Sequence, residues 1–273
     1  MENLGQRTLT GMVLVIVTTF SILLSPYSFF SLILAINILG LREFYRLYDG
    51  YAAFPRNIGG TILSMCVLLT FTLVITNRCD WRILFINMAA TFALFIMELY
   101  LRSKHPFHNL AFIFLGVICI TVPLCFFIAL AFLPGSTENY PYVVMGYFIV
   151  LWLNDSGAYF AGKYFGKRPL FLRLSPKKTW EGSFGGAICA VSATFVLSRS
   201  FPVLNWIEWL GMALIIIITG TFGDLIKSMM KRSLNIKDAG NILPGHGGIL
   251  DRFDSLLGSA PFVFCYLSLS GHA

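Results

Sequence analysis

Residues 206–255 read WIEWLGMALIIIITGTFGDLIKSMMKRSLNIKDAGNILPGHGGILDRFDS, an apolar stretch that runs directly into a densely charged one. The apolar part is long enough to cross a bilayer as a helix, which takes about 20 residues. Charges beside lipid are costly, so the charged part, 223–255, is expected to have a function. Carboxylates suit a hard divalent cation, Lys and Arg suit phosphate oxygens, and Gly lets the backbone approach a ligand. The stretch therefore predicts a membrane helix ending in a metal-and-phosphate site.

The composition of the whole chain agrees with a membrane protein. Of 273 residues, 57% are hydrophobic and only 12% are charged, and the mean hydropathy is +0.76. Soluble domains carry about 25% charged residues. The apolar N-terminus lacks a cleavage site and is interpreted as a retained first helix. We expect an all-α, polytopic bundle forming a single domain, 1–273, with N-terminal spans in 1–140 and a catalytic half in 141–273.

Nine candidate spans, most of them near bilayer length, are expected along the chain. They lie near 9–24, 28–47, 57–76, 81–99, 109–133, 141–161, 183–198, 206–226 and 255–270. The alternation places 17 of the 20 Lys and Arg residues on the side of the N-terminus, and only Arg78, Arg82 and Arg199 on the other. Positive charge accumulates in cytoplasmic loops. We therefore expect the N-terminus and two long loops, 162–182 and 227–254, to be cytoplasmic, and no nucleic-acid partner.

Three aspartates, Asp224, Asp251 and Asp254, are candidate ligands for Mg²⁺. Asp224 is expected to close one span, while Asp251 and Asp254, three residues apart, would share a face of the next helix. Connection of the two helices as a hairpin would bring the carboxylates together. A divalent cation would relieve their repulsion, and Mg²⁺ in phosphoryl-transfer sites takes one or two carboxylates plus substrate phosphates. The alternative is that each Asp pairs with a nearby Lys or Arg.

A glycine pair precedes Asp251. Gly247 and Gly248 permit a tight turn whose N–H groups would face phosphate at a helix N-terminus, although for two glycines alone a simple turn is the better interpretation. His246 is either a ligand contact or a side chain that fills the turn. Farther back, Lys177 and Lys178 lie in the segment SPKKTWEG, 175–182, which suits a polyphosphate or a positive-inside anchor.

Two acidic positions inside or beside the spans need separate interpretations. Asp155 lies within an apolar span and has no Lys or Arg within a helical turn. Ionisable residues within membranes are expected to be functional. We therefore expect Asp155 to lean toward the Asp224–Asp251 cluster. Glu43, between Arg42 and Arg46 after the second span, is interpreted as part of a solvated helix end with local ion pairs.

The motif from Ser228 to Asp254 resembles the signature of the phosphatidate cytidylyltransferase (CDP-diacylglycerol synthase) family. Its fixed positions are Ser, a Lys-Arg pair, Lys-Asp five residues beyond that Arg, and P-x-H-G-G-x-x-D-R-x-D. The S-P-K-K-T-x-E-G and N-D-x-x-A-Y segments also resemble family features, so the resemblance covers roughly residues 150–256. It implies an integral protein of the inner membrane that converts CTP and phosphatidate to CDP-diacylglycerol and pyrophosphate.

The resemblance also implies a set of site residues. The implied catalytic residues are Asp224, Asp251, Lys237, Asp238, His246 and Arg252. The implied substrate-binding residues are Lys177, Lys178, Ser175, Thr179, Lys231, Arg232, Gly247 and Gly248. The implied metal ligands are Asp224 and Asp251, to which the charge pattern adds Asp254 and Asp155, holding Mg²⁺ with or without a second metal ion. The site is expected to face the cytoplasm, in a monomer or a homodimer.

Three other functions remain as alternatives. CDP-alcohol phosphotransferases use a longer run of Asp at four-residue spacing after D-G, which this chain lacks. A lipid or polyprenol kinase using CTP is a second alternative. A cation transporter with Asp155 and Asp224 along its path is the third, but it would not need two polybasic loops on one face.

Overall fold

The computed structural model describes residues 2–47, 54–133, 140–236, 240 and 247–272, and these are almost entirely helical. The first half contains α1 Glu2–Leu24, α2 Pro26–Leu47, α3 Phe54–Ile75, a 3₁₀ turn Trp81–Phe85, α4 Ile86–Leu101, α5 Pro106–Gly116, a π turn Val117–Thr121 and α6 Val122–Leu130. The second half contains α7 Tyr142–Phe165, β1 Pro169–Phe171, β2 Ser175–Thr179, α8 Trp180–Ser200, α9 Trp206–Ser233, α10 Asp254–Leu267 and a final π turn Ser268–His272.

Seven apolar helical segments in the described part of the chain are long enough to cross a membrane. They are Pro26–Leu47, Asn57–Ile75, Trp81–Leu101, Pro106–Leu130, Tyr142–Phe165, Trp180–Ser200 and Trp206–Ser233. Two shorter apolar helices, Leu9–Leu24 and α10, coincide with the first and last of the nine predicted spans. The prediction of an all-α integral membrane protein is thereby confirmed. The count of nine spans and the orientation of the N-terminus remain predictions.

Buried side chains from both halves form one hydrophobic cluster. It runs from Ile22 and Phe29 near the start of the chain, through Phe127 and Tyr147, to Leu267 near the end. Trp209 on α9 is fully buried in this cluster and covers Gly146 of α7. Because the core is continuous, the first half of the chain is packed directly against the helices that carry the candidate site.

The four helices of the second half pack as two close pairs, α7 with α8 and α9 with α10. Small residues line both contacts. A Cβ added to Gly157 on α7 would lie 2.8 Å from Cys189 Sγ on α8, and one added to Gly258 on α10 would lie 2.6 Å from Gly223 Cα on α9. Small residues allow helix backbones to approach closely in membrane proteins. These contacts fix the relative positions of the polar residues that follow.

Helix α9 is longer than the sequence pattern predicted. It begins at a capping box, in which Asn205 and Glu208 satisfy each other's backbone N–H groups. It continues to Ser233, and Asn235 just beyond it has a left-handed φ of 56°, as residues that terminate helices often do. The predicted loop 227–254 was therefore wrong over its first seven residues, and Asp224 lies within the helix instead of at its end.

A short antiparallel hairpin replaces most of the other predicted loop, 162–182. Strands β1 and β2 pair Pro169 with Thr179 and Phe171 with Ser175. The carboxylate of Glu181, at the start of α8, accepts hydrogen bonds from the backbone N–H groups of Lys167 and Arg168, at 3.0 and 3.2 Å. The hairpin is thus attached to the first turn of α8, and it places Lys178 of β2 beside Asp224 on α9.

Candidate active site

Three of the predicted aspartates meet where α7, α9 and α10 approach one another. The carboxyl groups of Asp224 on α9 and Asp254 at the start of α10 lie within hydrogen-bonding reach of each other. Asp155 on α7 interacts electrostatically with Asp224. The prediction that Asp155 leans toward the other carboxylates agrees with this arrangement, although its role as a metal ligand stays a prediction.

The backbone contact between α9 and α10 explains why Asp224 and Asp254 meet. A Cβ on Gly223 would lie 2.9 Å from the carbonyl oxygen of Asp254 and 2.7 Å from Gly258 Cα. A side chain at either glycine would separate the helices next to Asp224. The close crossing therefore holds two carboxylates together that would otherwise repel each other.

Lysines surround these carboxylates. Lys178 on β2 forms an ion pair with Asp224, and both side chains are partly exposed. Lys231 Nζ on α9 lies 2.7 Å from Asp251 Oδ1, with side-chain exposures of 14% and 11%. Lys227, one turn before Lys231, interacts electrostatically with both Asp251 and Asp254 and donates to the Leu250 carbonyl oxygen at 3.4 Å. The centre thus contains negative charge that suits a cation and positive charge that suits phosphate.

One prediction about local structure near Asp251 was wrong. Helix α10 begins at Asp254, so Asp251 lies in the preceding turn and the two aspartates do not share a helical face. Gly247 and Gly248 lie before this turn and not at a helix N-terminus, which agrees with the interpretation of the glycine pair as a simple turn. Gly247 has a left-handed φ of 82°, and the Gly248 N–H points at Asp251 Oδ2 from 3.4 Å. The glycines therefore support the turn that presents Asp251.

The remaining predicted residues occupy different environments. Thr179 caps α8 by accepting a hydrogen bond from the Gly182 N–H at 3.2 Å, and Ser175 begins β2 on a partly buried position. The side chains of Lys177, Arg232 and Arg252 are exposed. Lys237, Asp238 and His246 lie outside the residues that the structure describes. Their predicted roles stay predictions.

The donors at the centre fit a hard divalent cation. Within the described ranges, no group of three or more His, Cys, Asp or Glu side chains is arranged to hold a metal ion by itself. Mg²⁺ in phosphoryl-transfer sites usually takes only one or two carboxylates and completes its shell with water and substrate phosphates. The adjacent carboxyl groups of Asp224 and Asp254 meet that requirement, because two carboxyl groups in contact need a proton or a cation between them.

Two residues, one at the centre and one packed against the turn before Asp251, were not in the predicted site. Lys227 was counted only as a positive charge of a cytoplasmic loop, although its spacing of four from Lys231 on a longer helix would have placed both on one face. Glu43 was interpreted as solvated, and this was wrong. It is 1% exposed, and its Oε2 accepts a hydrogen bond from the Leu250 N–H at 2.9 Å. No local signal could have indicated a contact between residues 207 positions apart.

Comparisons with known proteins all point to one family of enzymes. A model described as "Cytidylyltransferase family" matches residues 5–270. The chain is 34% identical over 271 residues to a phosphatidate cytidylyltransferase of Bacillus subtilis, covering 98% of this chain and 99% of that protein. It is 36% and 38% identical over 164 residues to proteins of the same name from Staphylococcus epidermidis and Staphylococcus aureus, covering 59% of this chain and 60% of each relative.

Proposed function

Because this chain belongs to the cytidylyltransferase family, we propose that it transfers the cytidylyl group of CTP to phosphatidate and forms CDP-diacylglycerol and pyrophosphate. The observation that carries the proposal is the meeting of Asp224, Asp254 and Asp155 with Lys178 and Lys227 in a helical membrane protein. A lipid phosphate and a nucleotide triphosphate both need such a mixed centre, since each brings negative charge that must be neutralised.

The reaction makes few demands on acid–base chemistry. A phosphate oxygen of phosphatidate is already anionic, attacks the α-phosphorus of CTP, and displaces pyrophosphate as the bond from that phosphorus to the bridging oxygen breaks. The residues therefore act mainly by positioning and by neutralising charge. Lys178, Lys227 and Lys231 are placed to balance phosphate charge. Asp224 and Asp254, with Asp251 and Asp155 beside them, would hold Mg²⁺, which supplies Lewis-acid polarisation and a template for the phosphates.

The depth of the centre supports a position near the lipid headgroups. Asp224 is 18 residues after Trp206, which begins α9, so about 27 Å of helix separates them at 1.5 Å per residue. That length is close to the ~30 Å hydrocarbon thickness of a bilayer. If Trp206 lies at one interface, Asp224 lies near the other, where a lipid phosphate and a soluble nucleotide meet. The charge bias of the loops favours the cytoplasmic side for this end, in the inner membrane.

The function is tested by substrate dependence with purified protein in detergent. With CTP and Mg²⁺, we expect pyrophosphate release that requires phosphatidate and stops when EDTA removes the divalent cation. Diacylglycerol replaces phosphatidate in the parallel reaction, and the lipid products are identified by mass spectrometry. Turnover with diacylglycerol and none with phosphatidate would contradict the proposal and favour a lipid kinase. Full activity in excess EDTA would show that the reaction does not need Mg²⁺.

The two adjacent lysines of β2 are expected to differ in importance. Neighbouring residues of a strand point to opposite faces, and only Lys178 contacts Asp224, while Lys177 is exposed. Lys178→Ala should lower kcat/KM for CTP roughly 10-fold, the loss of about one charge-assisted hydrogen bond. Lys177→Ala is the matched control and should stay within about twofold, as expected for an exposed charge. The measurement is steady-state kinetics of both variants. Equal losses of kcat/KM would show that both lysines contribute to the site and would contradict the prediction.

A further inference from the structure

Glu43 is a buried carboxyl residue far in sequence from the candidate catalytic residues. It lies on the last turns of α2 with 1% exposure, while its neighbours Arg42 and Arg46 are exposed. Burial of a carboxylate is costly unless hydrogen bonds or charges compensate it. One oxygen, Oε2, accepts the Leu250 N–H, whereas Oε1 is buried without a hydrogen-bond partner in the part of the chain that the structure describes. A carboxyl group buried at this cost is expected to have a specific role.

Two glycines of the charged stretch 223–255, Gly240 and Gly248, enclose this carboxyl group. A Cβ added to Gly240 would lie 2.6 Å from Glu43 Oε1, and one added to Gly248 would lie 2.6 Å from Oε2. Real Cβ atoms do not approach oxygen so closely, so any other residue would displace the carboxylate or the backbone. Gly240 and Gly248 therefore let the backbone at both positions pack directly on the Glu43 side chain.

Leu250 is fixed through three of its groups. Its N–H donates to Glu43, its carbonyl accepts from Lys227 at 3.4 Å, and its side chain packs on α2 near Gly40, where an added Cβ would lie 3.2 Å from Leu250 Cδ2. The next residue is Asp251, whose carboxylate contacts Lys231 and faces the Gly248 N–H. The position of the Asp251 side chain thus depends on the peptide group that Glu43 holds.

We propose that Glu43 is a positioning residue, which fixes the turn 247–250 against α2 and thereby aims Asp251 at the active centre. The proposal extends the proposed function, since it gives the first half of the chain a part in building the site. Glu43 touches no reacting group and acts through the backbone of Leu250. The requirement is for a hydrogen-bond acceptor at Oε2, which an amide oxygen can also provide.

The test compares Glu43→Ala, Glu43→Gln and the exposed control Arg42→Ala by hydrogen–deuterium exchange of the purified protein, read in the peptide containing 247–252. We expect faster exchange there in Glu43→Ala, with exchange close to wild type in Glu43→Gln and Arg42→Ala. Activity should follow the same order, with a loss of roughly 10-fold in kcat for Glu43→Ala, as for residues that orient a ligand. The Mg²⁺ concentration for half-maximal activity should rise in parallel.

Two results would overturn the proposal. One is unchanged exchange and activity in Glu43→Ala. The other is a Glu43→Gln variant that folds with the wild-type Tm but exchanges fast and loses activity as the alanine variant does, since this would require the charge and not the acceptor. If Glu43→Ala fails to fold, exchange and activity of Glu43→Gln alone test the proposal, which predicts wild-type values for both. The exchange measurement needs no substrate, so it stays informative even if phosphatidate proves not to be the substrate.

Discussion

Asp224→Asn and Asp251→Asn should each lower kcat at least ~10²-fold, which corresponds to about 2.7 kcal/mol of transition-state stabilisation. Asparagine keeps the shape of the side chain and removes the charge. Asp224 lies between Asp254 and Lys178, and Asp251 contacts Lys231, so each change removes charge from the centre itself. Steady-state kinetics with CTP and phosphatidate over a range of Mg²⁺ concentrations provide the measurement.

The matched control for these variants is Asp80→Asn. Asp80 precedes the 3₁₀ turn, is 62% exposed and lies beside Arg82, far in sequence from the centre. Asparagine can accept the same hydrogen bond from the Arg82 N–H, so this variant should keep wild-type kinetics. If Asp224→Asn or Asp251→Asn were as active as Asp80→Asn, that aspartate would have no part in catalysis.

Gly258→Ala should destabilise the protein and reduce its activity, although alanine favours helix formation over glycine by about 1 kcal/mol. The added Cβ would lie 2.6 Å from Gly223 Cα and 2.9 Å from the Thr219 carbonyl oxygen, which are backbone atoms that cannot move aside independently. Overpacking of this kind costs about 1–3 kcal/mol. Separation of α9 from α10 would also move Asp254 away from Asp224. The melting temperature in detergent and the specific activity should therefore fall together.

Gly220→Ala makes the same substitution on the facing helix, α9, one turn before Gly223. Its Cβ would lie 3.4 Å from Ser255 Cβ, an ordinary van der Waals distance. We expect this variant to melt at or slightly above the wild-type temperature. If both alanine variants behaved alike, the close crossing at Gly223 and Gly258 would not be what holds the carboxylates together.

The sequence predicted the helices well because hydrophobic stretches of bilayer length are a strong signal. Seven of the nine predicted spans coincide with apolar helices long enough to cross a membrane, and the first and last coincide with shorter ones. The ends were less accurate, as α9 shows. Its last turns carry Lys227, Lys231 and Arg232, which were interpreted as loop residues because they are polar. Asn235, with its positive φ, was the better indicator of where that helix ends.

The candidate site was predicted in its chemistry more fully than in its geometry. The sequence indicated the charged residue types near 223–255 and the membrane context. Asp155, Asp224 and Asp254 come together in the structure. The hairpin that presents Lys178 was missed, since its strands of three and five residues carry charged and proline residues in place of an alternating apolar pattern. The burial of Glu43 was missed because packing between distant segments, and not local pattern, determines which carboxyl groups are buried.

The most direct test of the proposed reaction follows the phosphorus atoms of CTP. Purified protein would receive phosphatidate and CTP labelled either in the α-phosphate or in the γ-phosphate. Cytidylyl transfer predicts that the α-label enters the lipid product and that the γ-label is released in pyrophosphate. Appearance of the γ-label in the lipid, with the α-label retained in CDP, would contradict the account and identify a kinase.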